Sequence, residues 1–192
     1  MANNIGTYFT DGSASTAGYT MLSHGTAQVS PIAGTLTSVD VWVSATASTY
    51  KIKIFHSDGT NYNLVGEQTV SLTAGANVGV SVNIAGVSVG DFIAVYFPAT
   101  AGYPQYKTVV NTDTAYKAGD GGTSAIATWS DQNGNAYAFA GVVAAPAVLI
   151  NNICIGGAWK TVTENTICIG GVWKTITEIK VAIGGVWKNL TT

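Results

Sequence analysis

Tyr50-Lys51-Ile52-Lys53-Ile54-Phe55, then His56-Ser57-Asp58-Gly59-Thr60-Asn61 and Tyr62-Asn63-Leu64-Val65, is the stretch on which the fold turns. Two Lys fall on one face of the first segment and two Ile on the other, the period of two that marks a strand. The six residues after it tolerate positive φ or bond to their own backbone, so they read as a turn. Residues 50–65 are therefore expected to form a β-hairpin. Upstream, Leu36, Val39, Val41 and Val43 alternate approximately with Thr37, Asp40, Trp42 and Ser44. Further strands are expected at Glu67–Leu72, Val78–Ile84, Phe92–Phe97, Thr108–Asn111, Ile126–Trp129 and Tyr137–Val143, punctuated by Gly, Asn and Asp. No segment keeps a 3.6-residue period with caps, so almost no helix is expected. Short strands at this spacing predict an antiparallel β-sandwich or jelly roll over residues 1–148.

Composition narrows the function. The chain has 192 residues, 47% hydrophobic and only 9% charged, with 23 Gly, against about a quarter charged in an average soluble protein. All eight basic residues are Lys, and the net charge is −2. Without Arg, the bidentate clamps for phosphate are missing, and without a basic surplus there is no electrostatic footprint for nucleic acid. No nucleic-acid partner is expected. The apolar run 136–150 is too short for a membrane helix, which needs about 20 residues, so no membrane partner is expected either. The first residues have neither a basic start nor an apolar stretch, which predicts no secretory signal peptide and synthesis in a cytoplasm, unless a signal has been trimmed. Two Cys and two His are too few for a disulfide framework or a structural zinc site. No metal or cofactor is expected.

The C-terminal residues repeat with a period of 14. Ile153-Cys154-Ile155-Gly156-Gly157-Ala158-Trp159-Lys160 is followed by Ile167-Cys168-Ile169-Gly170-Gly171-Val172-Trp173-Lys174 and Val181-Ala182-Ile183-Gly184-Gly185-Val186-Trp187-Lys188. Each unit joins two β-prone segments through a Gly-Gly pair, the composition of a tight hairpin turn. Three β-hairpin repeats are therefore expected over 149–192. One hairpin cannot bury its apolar face alone, so the array is read as an assembly region. Trp159, Trp173 and Trp187 are the candidate contact residues, since each buries a large area and keeps an indole donor. Packing within the array is their competing role. Lys160, Lys174 and Lys188 either contact an acidic partner or blunt exposed strand edges. Residues 1–150 carry a net −4 and residues 151–192 a net +2, which would steer the repeats toward acidic surfaces, including a neighbouring copy. Cys154 and Cys168 hold equivalent slots, filled by Ala182 in the third repeat, which reads as a small apolar site with free thiols.

These units resemble the short Gly-Gly-x-Trp-Lys repeats near the ends of structural proteins from tailed bacteriophages. The resemblance covers about the last fifth of the chain. It implies a virion component: a capsid decoration protein, head fibre or tail protein.

Catalytic constellations are sparse. His56, Ser57 and Asp58 supply the residue types of a hydrolase triad, but adjacent side chains on a turn do not converge as nucleophile, base and orienter. His24 has no evident partner. Asp131-Gln132-Asn133-Gly134-Asn135 resembles the start of a calcium loop, yet Gly falls at the fourth position and Val142 stands where a bidentate Glu is needed, so an Asn-Gly turn is expected. Asp120-Gly121-Gly122 also reads as a turn. Tyr62, Tyr103, Tyr106, Tyr116 and Tyr137 would stack on sugar rings if several shared an exposed face, but core positions in the sandwich are the simpler expectation. The combined reading is a non-enzymatic, all-β virion protein that binds identical chains, as a homo-oligomer such as a trimer, and other virion proteins. The alternative is a carbohydrate-binding host-attachment adhesin with the sandwich as its glycan module. A glycan hydrolase is disfavoured by the lack of a recognisable carboxylate pair.

Overall fold

The computed structural model describes residues 4–26 and 28–146, together with six short strands between 152 and 189. The chain divides into two compact units, Met1–Ala145 and Pro146–Thr192. All described regular structure is β, apart from one 3-10 turn at Ile126–Thr128.

The first unit runs β1 (Asn4–Thr7), β2 (Ser13–Ala14), β3 (Tyr19–Ser23), β4 (Gly34–Val43), β5 (Ala47–Ser57), β6 (Asn61–Leu72), β7 (Gly75–Val87), β8 (Phe92–Phe97), β9 (Gln105–Ala118), β10 (Ser124–Ala125), β11 (Ser130–Tyr137) and β12 (Phe139–Ala144). A four-stranded sheet has the order β1-β12-β4-β7. The longer sheet, a curled half-barrel, has the order β10-β6-β5-β8-β3-β9-β11, with β2 added beside β9. Every pairing is antiparallel.

The two sheets enclose one apolar core. The short sheet contributes Leu36, Val39, Val41, Val43, Ile84, Phe139 and Val143; the long sheet contributes Met21, Tyr50, Ile52, Ile54, Ile93, Val95 and Phe97. The alternating residues of β4 and the two Ile of β5 thus point where the period of two places them. The β5–β6 hairpin forms with a turn narrower than its polar residues suggest: His56 and Ser57 complete β5, Asn61 opens β6, and only 58–60 connect them. Asp58 fixes the turn, its Oδ1 accepting from the Thr60 and Asn61 amides at 2.8 and 2.6 Å.

Several expectations need correction. Ile126–Trp129 is a 3-10 turn rather than a strand, closed by the Trp129 amide donating to Ile126 O and by Thr128 Oγ1 donating to Ala125 O. Asp131–Asn135 lies inside β11, and its Asn-Gly step is not a chain reversal: Asn133 lies opposite Asp113 and Asn135 opposite Thr108, so the pairing is interrupted here with the extra residues on β9, and Gly134 has φ of +78°. An interrupted ladder can use the same positive φ as a hairpin turn, so the dipeptide alone does not separate the two. Glu67–Leu72 is no separate strand but the second half of β6, and Thr108–Asn111 is part of the fourteen-residue β9.

In the second unit, β13 (Asn152–Ile155) pairs with β14 (Ala158–Thr161), β15 (Thr166–Ile169) with β16 (Val172–Thr175), and β17 (Lys180–Ile183) with β18 (Val186–Asn189). Each pair is a two-stranded antiparallel sheet in the same register.

Candidate functional site

The register of the three small sheets sorts the candidate residues of the repeats. Cys154 lies opposite Trp159, Cys168 opposite Trp173 and Ala182 opposite Trp187; Lys160, Lys174 and Lys188 lie opposite Ile153, Ile167 and Val181. Cross-strand partners share a face, and consecutive residues belong to opposite faces. Each sheet therefore has a Trp face, where the opposite residue is small, and a separate Lys face with β-branched residues. The candidate Trp and Lys are neighbours in sequence yet are not brought to one surface. Gly156, Gly157, Gly170, Gly171, Gly184 and Gly185 link the paired strands in sequence and lie outside the described residues.

In the first unit, the densest polar constellation sits on the face of the long sheet that points away from the inter-sheet core. Strand alternation sends Lys51 and Lys53 to this face, opposite Ile52 and Ile54. Lys53 is only 1% exposed and is ion-paired with both Glu67 and Asp120, the latter at 2.8 Å; Lys51 binds the same two carboxylates. Glu67 is brought there by the hairpin, which sets it directly across from Lys53. Asp120, read from sequence as a turn residue, arrives from the segment after β9. The Lys53 hydrogen bond is the main influence holding the Glu67 carboxyl below its ordinary value, against the effect of burial. Burial pushes Asp120 upward, but its bonds to Lys51 and Lys53 together outweigh this and leave it lowered. The hydrogen bonds to Asp120 and Glu67 raise Lys51 in turn. Two cations and two carboxylates balance, so the arrangement suits holding a segment in place rather than attracting a charged ligand.

The clearest signal for this cluster in the sequence was the pair of Lys on an alternating strand with an acid on its hairpin partner. Nothing in the local sequence of Asp120 marked it as the fourth member.

Beside the cluster lies an aromatic group, outside the main core. Trp129 meets Phe55 and Tyr62 edge-on, with centroids 5.6 and 5.4 Å apart, and Phe92 meets Tyr62 at 5.8 Å. Leu22, Ala94 and Ala115 complete the bed beneath them.

The histidines find partners that sequence did not show. His56 does not engage Ser57 and Asp58 as a triad; its Nδ1 lies 2.7 Å from Oδ1 of the buried Asp91, whose Oδ2 accepts from the Ser88 amide. Ser57 Oγ instead accepts from the Gly59 amide. His24 Nε2 lies 3.4 Å from Asp131 Oδ1, within ion-pair range but without hydrogen-bond geometry. No group of three or more His, Cys, Asp or Glu suited to a metal occurs among the described residues. Of the five candidate sugar-stacking tyrosines, Tyr62 and Tyr137 are buried, Tyr106 and Tyr116 pack against the main core, and Tyr103 is exposed. They do not form a shared platform. No helix among the described residues is long and apolar enough to cross a membrane.

Compared with known proteins, the chain matches no family model, no curated protein and no solved structure.

Proposed function

We propose that this is a non-enzymatic structural protein of a tailed-phage virion, a capsid decoration protein, head fibre or tail component, that assembles through its C-terminal repeats. The observation that carries the reading is the set of three two-stranded sheets in one register within a unit of their own. An isolated two-stranded hairpin is at best marginally stable in water, so each needs covering. A surface matched to one repeat has to be matched three times, and another copy of the chain offers the same period. Identical chains, as a closed homo-oligomer such as a trimer, are therefore the first partners, and other virion proteins the second. Trp159, Trp173 and Trp187 would supply the apolar contact, while Lys160, Lys174 and Lys188, on the opposite faces, would stay toward solvent or an acidic neighbour. The sandwich, of jelly-roll type in this reading, would be the displayed module. The virion assignment itself rests on the Gly-Gly-x-Trp-Lys resemblance. It is tested by mass spectrometry of purified phage particles from the source of the gene. The chain is expected in fixed stoichiometry with the major capsid or tail proteins. Its confinement to the soluble lysate would overturn the assignment.

A further inference from the structure

Residues 119–129 cross the outer face of the long sheet. The segment leaves β9 and returns to β11, which are neighbours at one end of the strand order, yet β10 between them pairs with β6 near the other end. It therefore passes outward over β3, β8 and β5 and comes back. The outward limb, Gly119-Asp120-Gly121-Gly122-Thr123, has no apolar side chain. It is tied down by the Asp120 ion pairs, by the Gly121 amide donating to Thr20 Oγ1 at 2.8 Å, and by Thr123 Oγ1 accepting from the Leu64 amide at 2.9 Å. The returning limb lays Ile126 and Trp129 over Leu22, Phe55, Tyr62, Ala94 and Ala115. Its polar ties to the sheet are the pairing of β10 with β6, the Ile126 amide to Thr60 O, and Lys117 to Thr128 Oγ1, while the Trp129 indole donates to Ser124 Oγ within the segment itself.

Everything the segment covers belongs to the outer face. The inter-sheet core, built on Ile52, Ile54, Ile93 and Val95, lies on the other side of the same strands. Detaching the segment exposes one apolar bed and leaves that core closed, the structural condition for a local opening distinct from global unfolding.

We propose that residues 119–129 form a strap that opens as a unit while the sandwich stays folded, and that Lys51, Lys53, Glu67 and Asp120 are its latch. The charged and titratable groups facing the latch are Lys51 and Lys53 of β5, Glu67 of β6, Asp120 of the strap, Tyr96 of β8 opposite Lys51, and Lys117 of β9 beyond Thr20. His24 and Asp131 approach the far end of the bed. Closing the strap brings Asp120 to Lys51 and Lys53, whose bonds outweigh its burial and lower its carboxyl, so neutral pH keeps the strap shut; Glu67 is held low by the same lysines within the sheet. Acid that falls through the lowered Asp120 value releases it, leaving Glu67 as the one latch carboxyl beside Lys51 and Lys53 and the bed of Phe55 and Tyr62 uncovered.

Amide hydrogen exchange of the full chain, resolved by residue at one fixed pH and temperature, tests this with the wild type and Asp120→Asn. The Gly121, Leu64, Ile126 and Trp129 amides are expected to exchange through an opening easier than that of Val41 and Phe139. Asp120→Asn is expected to speed the first group about tenfold or more, equivalent to about 1.4 kcal/mol, and to leave the second unchanged. Strap amides that open only with the core, or that accelerate equally with it, would overturn the proposal. Should Asp120→Asn not fold, Lys51→Met removes one of the two cations that hold Asp120 without touching the strap and is read by the same two criteria.

Discussion

Replacing Lys53 by Met gives the sharpest account of the latch. Met fills the volume of the Lys stem but removes the cation that Glu67 and Asp120 share. Breaking a buried pair by deleting one partner costs about 3–5 kcal/mol, because the other charge is left uncompensated. Here Lys53 is buried, but the two carboxylates are each 35% exposed and Lys51 still faces them. Solvent screening therefore reduces the expected loss to about 2 kcal/mol. For a domain of this size each kcal/mol moves Tm by about 2–4 °C, so a fall of about 4–8 °C is expected at pH 7 by circular dichroism. The sign with pH follows from the lowered Glu67 and Asp120 carboxyls: their contribution is complete above the ordinary carboxylate values and is lost as pH falls through the lowered ones. The wild type should lose stability over that interval and Lys53→Met should lose less, so the two melting curves converge in acid. A variant as stable as wild type at pH 7, or a gap that widens in acid, would refute the reasoning.

Other outcomes follow from the same packing. Tyr50 is fully buried; its hydroxyl donates to Ala45 O at 2.7 Å and accepts from the Gly102 amide at 2.8 Å. Tyr50→Phe strands both groups and should cost about 1–3 kcal/mol by urea titration, with an unchanged midpoint counting against those bonds. Phe139→Ala, at the centre of the short sheet, should cost about 3–5 kcal/mol in the same assay, whereas Val78→Ala, exposed on β7, should move the midpoint little. Joint substitution of Trp159, Trp173 and Trp187 by Ala should reduce the assembled mass, while joint substitution of Lys160, Lys174 and Lys188 by Gln should leave it largely intact, both read by sedimentation velocity.

The strands legible in the sequence are those with one buried face. β4 and the β5–β6 hairpin alternate because one side meets the core, and β8 shows as an apolar run between polar turns. β3 was missed because it is buried on both sides: Met21 enters the main core while Thr20 and Leu22 lie under the strap. Neither a period of two nor a flanking signal survives in five such residues. The strap was illegible for a related reason. Gly-Asp-Gly-Gly reads as a surface turn, and what gives Asp120 its role is a pair of Lys nearly seventy residues earlier. The Lys face of β5 was visible as a face, but its burial depended on that distant partner. In the repeats, the two strand segments of each unit were legible, and the division of Trp and Lys between two faces follows from strand alternation alone, whereas the residue set across from each Trp follows only once the register is known. The side chains of those strands lie outside the described residues.

In the proposed function the C-terminal unit, and not the sandwich, drives assembly. Light scattering coupled to size-exclusion chromatography on the full chain and on residues 1–145 tests it most directly. The full chain is expected at two or more whole multiples of its 19.7 kDa mass, and the shortened chain as a folded monomer. Two monomers, or the same oligomer with and without residues 146–192, would contradict the account.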